Sequence, residues 1–347
     1  MSAASEAIAP PPKRRLRALI VAVGGALAIA FALGAAAMRM LAPVSDSASE
    51  VRIDVAPGSS LWRIATNLEN AGIVRSGRAL VLLARWRGVA AKVRAGEYAL
   101  SPSWGTSRVL EQLVAGRVVS YEVVLPEGLT AVEIAERLEA ATIVRGDEFL
   151  AVTRDPAIAR EFGVEGTNLE GYLFPETYRM PHGQSAKQVA RVLVDQFRAQ
   201  WAPLAADANA HGLSMQQVVT LASIVEKETG AADERPLVAS VFSNRLTRGM
   251  RLESDPTTIY GIPDFDGNLR RAHLEDETNR WNTYRISGLP PTPIANPGAA
   301  SLAAVVRPAA SEYLYFVAKG DGTHIFSRSY AEHLANVARY QGRRDSR

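Results

Sequence analysis

The sequence predicts an α+β protein in three parts: an N-terminal transmembrane helix, a small α+β module and a larger mixed α+β domain. Three observations predict it. Residues 18–38, ALIVAVGGALAIAFALGAAAM, run for 21 positions without a charge. Beyond them, short stretches of alternating apolar and polar residues recur between longer stretches with helical apolar spacing. Near residue 119 that pattern changes its texture, which sets a module of 51–118 apart from a domain of 119–341.

The chain has 347 residues, 47% of them hydrophobic, enough for one large core or for two or three smaller ones. It has no cysteine, so disulfides and thiol chemistry are excluded. The net charge of +3 is misleading, because Lys13, Arg14, Arg15 and Arg17 crowd the N-terminus. Without those four the remainder is about −1, near neutral. No broad phosphate-binding surface is expected, and no nucleic-acid partner.

Residues 1–17 read as a Pro-rich cytoplasmic tail ending in the basic cluster. The uncharged stretch that follows is long enough to cross a bilayer core of about 30 Å. Its cationic flank predicts the N-terminus inside and the rest outside, in the periplasm of a bacterium-like cell with the inner membrane as anchor. The rival reading is a cleaved signal peptide. The stretch exceeds the usual h-region of such peptides, which favours a retained single span. Residues 39–50, with APVSDSASE at 42–50, read as a short flexible linker.

The module opens with VRIDV at 51–55, a half-buried strand by its alternation. Pro57-Gly58 marks a turn, and Ser59 or Ser60 a helix N-cap. Leu61, Ile64, Ala65 and Leu68 then follow helical spacing, and a second helix spans 76–86. A returning strand is expected over 93–100 and a short helix over 106–116. The stretch VRIDVAPGSSLWRIATNL resembles the opening of LysM-type glycan-binding modules. The resemblance covers only the first half, and a plain α+β spacer fits equally well. Trp62 and Trp104 are the residues that would stack on sugar rings.

The larger domain begins with a strand, YEVVL, and a helix capped by a T-x-x-E box at Thr130 and Glu133. Helices are expected around 147–153 and 185–200. Between them LEGYLFPETYRMP, residues 169–181, holds two prolines and reads as an ordered functional loop rather than a helix or central strand. Ser214 and Gln217 form a second capping box. Their helix should run over 215–229 and stop at Gly230. Another helix follows with Asp233 as candidate N-cap, then a turn at Asp255-Pro256 and a loop-rich WNTYRISGLPPTPIANPG over 281–298. SLAAVVRPA starts a helix, two strands flank a Gly-Asp-Gly turn near 321, and a last helix precedes a basic tail at 342–347.

In LASIVEKETG two glutamates share one helix end, and helical rotation points Glu226 and Glu228 about 200° apart. Glu228 falls on the stripe of Leu221, Ile224 and Val225. A carboxyl desolvated there would hold its proton near neutral pH and could donate it, whereas a last-turn glutamate that turns back to solvent or pairs with an arginine, the commoner case for such a helix end, would not. Glu226 falls on the flank, a solvated or salt-bridging residue with Arg235 and Lys227 as candidate partners.

The motifs LEGYLFPETY, LASIVEKET, VASVFSNRL, GMRLESDPTTIYG, NTYRISGLPPTPIANPG and YLYFVAKGDGTHIFS together resemble the endolytic murein (lytic) transglycosylases, the YceG-like or MltG type. The resemblance spans nearly the whole chain. It implies a catalytic domain in residues 119–341 that cuts nascent peptidoglycan strands between MurNAc and GlcNAc and leaves 1,6-anhydro ends. It implies Glu228 as the catalytic acid/base, and glycan-cleft residues Glu170, Tyr172 and Glu176, then Asp255, Thr257 and Tyr260, then Asn282, Tyr284 and Asn296. It also implies peptidoglycan synthases as partners. Of these residues Asp255 reads equally as a turn-former, Glu176 as an ion-pair partner and Tyr172 as core filler. Two other functions stay open: a non-catalytic glycan-binding scaffold of the wall-synthesis machinery, and a hydrolysing muramidase with Asp255 or Glu170 as base.

No cofactor is expected. The five histidines show no metal-ligand spacing, and neither a G-x-S-x-G elbow nor a P-loop or dinucleotide fingerprint occurs. His324, in the last hairpin, reads either as a residue near a cleft or, by default, as one on a solvent-exposed edge strand.

Overall fold

The computed structural model describes residues 13–342, with side chains from residue 17 onward. The tail of 1–12, the side chains of residues 13–16 in the basic cluster and residues 343–347 lie outside the described residues. The chain is a mixed α+β protein that divides at residue 119 into two compact units.

The first unit begins with α1, Lys13–Leu41. It is long and apolar enough to cross a membrane, and its apolar side chains, among them Leu27 and Phe31, stand exposed. The segment after it is not the free linker its composition predicts. Arg75 donates to the carbonyls of Pro43 (2.8 Å) and Val44 (3.0 Å). Val44 N donates to the Pro102 carbonyl at 2.9 Å. Polar serines and small residues leave such a segment free only where no partner meets its backbone.

Strand β1 (Val51–Val55), helices α2 (Leu61–Asn70) and α3 (Gly77–Trp86), strand β2 (Gly96–Leu100) and helix α4 (Thr106–Ala115) complete this unit. β1 and β2 pair antiparallel, Val51 opposite Leu100. Ser60 and Ser76 cap α2 and α3 by accepting from backbone N–H groups three residues on. α4 ends at Gly116 in the left-handed conformation, φ 66°. Leu68, Ile73, Leu80, Leu100 and Leu113 are fully buried. Each stabilises the unit by roughly 1.5–3 kcal/mol relative to exposure. Trp104 packs on this core beneath Arg108, whereas Trp62 is 53% exposed.

The second unit starts with β3 (Tyr121–Leu125) and α5 (Ala131–Ala140), and the Thr130–Glu133 capping box is formed in full. Helices α6 (Gly146–Thr153) and α7 (Pro156–Glu161) lead to β4 (Glu176–Met180). β4 corrects the reading of 169–181 as loop throughout. It pairs antiparallel with β3, Tyr121 opposite Met180. Pro175 and Pro181 bracket the strand instead of interrupting it, so no ladder N–H is lost.

Helices α8 (Ala186–Trp201), α9 (Ala205–Ala210) and α10 (Met215–Glu228) follow. α10 is the centre of this unit. Eight consecutive residues, 218–225, are buried, and α11 (Arg235–Thr247), α12 (Asp255–Tyr260) and α14 (Ala299–Val306) pack around it, α13 (Arg271–Glu275) lying between the last two in sequence. Two hairpin strands, β5 (Tyr315–Ala318) and β6 (His324–Ser327), and α15 (Tyr330–Tyr340) close the chain. Asp233 does not cap α11 but lies in a 3-10 turn before it. Asp255-Pro256 opens α12 rather than a simple turn, because proline at the first helical positions needs no N–H partner.

Candidate active site

Glu228 is the last residue of α10, and Thr229 leaves the helix extended at φ −136°. Gly230 is not left-handed, so the expected glycine stop is not used. Because α10 is buried on every side, its end carries the meaning that an apolar stripe would carry on a surface helix. The two glutamates differ in partners more than in rotation. Glu226 accepts from Arg235 Nη2 (3.1 Å) and from Gly298 N (2.9 Å), and its side chain is 5% exposed. The expected ion pair is present, but the expected solvation is not. Glu228 keeps partial contact with solvent.

The Glu228 carboxylate accepts from Ser254 Oγ. Burial pushes Glu228 up to about 7; the Ser254 hydrogen bond opposes this, the Asp255 charge reinforces it, and His324 and Arg245 pull it down. Ser254 is delivered by a strained approach. Glu253 has φ +53°, a left-handed conformation that a non-glycine residue rarely adopts. Arg245, buried in α11, holds this turn through the carbonyls of Arg251 and Leu252 and the Glu253 carboxylate (3.1 Å). Ser254 N donates to Thr283 Oγ1 at 2.9 Å, and Thr257 Oγ1 donates to the Ser254 carbonyl. Asp255, exposed at the start of α12, accepts from Tyr284 OH at 2.7 Å.

Three motif residues therefore meet around one carboxyl: Glu228, Asp255 and Tyr284. His324 joins them electrostatically. It is not on an open edge but shares a 2.7 Å hydrogen bond with Glu234 and is 12% exposed. Ser254, Arg245, His324 and Glu234 were not singled out as site residues by sequence reasoning. Ser254, Arg245 and His324 carried a signal in their places inside RLESDPTTIYG, VASVFSNRL and YLYFVAKGDGTHIFS, and Glu234 carried none.

The other candidates sit elsewhere. Glu170 is 5% exposed and accepts from Ala131 N (3.0 Å), Tyr260 OH (3.1 Å) and Asn296 Nδ2 (2.9 Å). Burial pushes it, too, up to about 7, against those hydrogen bonds. Asn296 is fully buried, accepts from Gly171 N and Leu173 N, and ties the first loop to the third. Asn282 is fully buried and donates to the carbonyls of His273, Leu274 and Asp276. Thr257 is buried among Ser254 and Thr283. Tyr172 is core, edge-on to Phe197. Glu176 lies on β4 and accepts from Gln196 of α8. For Tyr172, Thr257, Asn282 and Asn296 a polar side chain in a loop motif looked like a ligand contact, but the protein itself engages every one. Buried loop backbone needs side-chain partners, and these residues supply them.

A cavity of about 1160 Å³ lies beside α10, lined by Glu133, Glu170, Lys227, Tyr260 and Trp281. Glu228 does not line it, but its neighbour Lys227 does, as does Pro256. Among the described residues no three His, Asp or Glu side chains are placed to hold a metal ion.

A sequence model of the YceG-like family matches residues 53–339. An endolytic murein transglycosylase of Bacillus subtilis (strain 168) is 29% identical over 318 residues, 87% of this chain and 88% of that protein. An endolytic murein transglycosylase of Streptococcus pneumoniae serotype 2 (strain D39 / NCTC 7466) is 28% identical over 327 residues, 85% of this chain but 59% of that longer protein. A crystal structure of a protein described as YceG-like from Listeria monocytogenes superposes with a TM-score of 0.57 at 30% identity, covering 84% of this chain and all of that one.

Proposed function

This chain belongs to the YceG-like family, and on that premise we propose that it is a lytic transglycosylase of peptidoglycan with Glu228 as its acid/base. The observation that supports this most is the Glu228 carboxyl itself. It holds its proton up to about pH 7 at the partly open end of a buried helix, beside a hydroxyl donor. A general acid for cleavage near neutral pH needs that combination.

Protonated Glu228 gives its proton to the glycosidic oxygen as the bond from C1 of MurNAc breaks. The sugar's own acetamido oxygen shields the cationic C1, as in substrate-assisted glycosidases. The C6 hydroxyl oxygen then bonds to C1, and its proton returns to the Glu228 carboxylate. The proton count closes, no water is consumed, and a 1,6-anhydro end results. Asp255 and Tyr284 flank the carboxyl and contact the substrate. The buried Tyr172, Thr257, Asn282 and Asn296 hold the loops that shape the site.

The same reading places α1 as a single span of the inner membrane, N-terminus cytoplasmic and catalytic domain periplasmic. Residues 51–118 then form a LysM-like module with Trp62 available to stack on a sugar ring. Cutting nascent strands beside the synthases that make them would end strand elongation.

Mass spectrometry of glycan strands digested by wild type and by Glu228→Gln tests this. Anhydro ends from wild type and none from the variant are expected. Reducing ends would identify a hydrolase, and intact strands from wild type a glycan-binding scaffold.

A further inference from the structure

Helix α3 carries an apolar face that the first unit does not cover. Leu80, Val81 and Ala84 point into the core, yet Leu82 is 66% exposed and Trp86 83% exposed. That face is continuous with the end of α1. Ala37, Met40, Leu41, Ala79, Leu82 and Trp86 share one groove of about 480 Å³. Its surface is mostly apolar, so water gains little there. Arg78 and Arg85 on α3, and Arg75 just before it, are exposed around the patch, and α3 has no acidic residue.

The groove's depth follows from helix geometry. The apolar helix of Arg17–Leu41 is longer than a bilayer core of about 30 Å needs at 1.5 Å per residue. With the uncharged residues 18–38 filling that core, residues 39–41 lie at the level of the headgroups. The chain does not swing free after that point, because Arg75 clamps Pro43 and Val44 and Val44 is bonded to Pro102. A tryptophan, a leucine and flanking arginines at that level match the chemistry of an interfacial helix on anionic lipid.

We propose that α3 is a membrane-surface helix: Leu82 and Trp86 enter the headgroup–acyl boundary of the same bilayer that α1 spans, and Arg75, Arg78 and Arg85 meet anionic phospholipid headgroups. This rests on the reading of α1 as a membrane anchor. It makes the first unit a rigid foot on the membrane instead of a module on a tether.

The chain has no cysteine, so single-cysteine variants of the full-length protein can be spin-labelled without background. Leu82→Cys and Trp86→Cys are compared with Asn209→Cys, an exposed reference, and Phe31→Cys within α1. The proteins are reconstituted in phosphatidylglycerol-containing vesicles and in phosphatidylcholine vesicles, and collision with oxygen and with a nickel chelate is measured. Labels at 82 and 86 are expected to lose nickel accessibility relative to 209 and gain oxygen accessibility. The protection should weaken in phosphatidylcholine and in an Arg78→Glu/Arg85→Glu background. Nickel accessibility at 82 and 86 equal to that at 209, with Phe31→Cys buried in lipid, would overturn the proposal and leave the anchor standing. Water-like behaviour at 31 would overturn the anchor itself. Dipolar broadening between labels at 86 on different chains would show a second copy covering the patch, and would also overturn the proposal.

Discussion

Replacing Glu228 by glutamine should stabilise this protein above neutral pH while abolishing its activity. The ordinary carboxyl value is 4.5, and burial pushes Glu228 to about 7. The folded state therefore holds a proton that the unfolded chain has already released. The contribution from this group is fully present below pH 4.5 and is lost as pH rises through 7. At 1.36 kcal/mol per pKa unit the loss is about 3 kcal/mol, complete by pH 8. Glutamine has no charge to desolvate, and its amide oxygen can still accept from Ser254. The gain of the variant over wild type should thus be near zero at pH 4 and about 3 kcal/mol at pH 8. For a domain of this size that raises Tm by roughly 6–12 °C. Glu170 titrates over the same range in both proteins, so its effect cancels in the difference. Thermal unfolding of full-length protein in detergent, followed by near-UV circular dichroism across that pH range, measures it. An equal or lower Tm for the variant at pH 8, or a gain independent of pH, would refute the assignment of a desolvated carboxyl.

Three other outcomes follow from the same contacts. Ser254→Ala removes a donor that favours the Glu228 carboxylate, so the alkaline limb of the strand-cleavage pH profile should move to higher pH as the rate falls. Arg235→Ala takes the cation from Glu226, which is 5% exposed and keeps only the Gly298 N–H, and this should cost about 3–5 kcal/mol in urea unfolding. Gly171→Ala should cost about 3 kcal/mol, read the same way. Residue 171 has φ +90°, and an added Cβ would meet Pro293 Cγ at 2.5 Å and Val219 Cγ1 at 2.7 Å.

Local features were legible because their causes are local. The capping boxes at Thr130–Glu133 and Ser214–Gln217 join residues three apart, and both form as the spacing predicts. The hairpin around Gly320 and Gly322 and the serine caps of α2 and α3 are of the same kind. Features that depend on what a segment meets were not legible. β4 exists because β3 lies beside it, across 50 residues of chain. The serines of 42–50 read as a tether until Arg75 and Pro102 supply partners for the backbone.

The pair Glu226 and Glu228 shows the boundary between the two. That they point apart follows from their spacing alone, which sets helical rotation. The sequence could also offer Glu228 as a candidate acid, beside the plainer reading of a last-turn glutamate turned to solvent. Which carboxylate is paired and which is left for chemistry was decided by tertiary structure. Arg235 and Gly298, 9 and 72 residues away, close over Glu226. Ser254, 26 residues away and set by a strained turn that Arg245 braces, meets Glu228. A desolvated carboxyl takes its state from the atoms around it, and only the fold brings those atoms there.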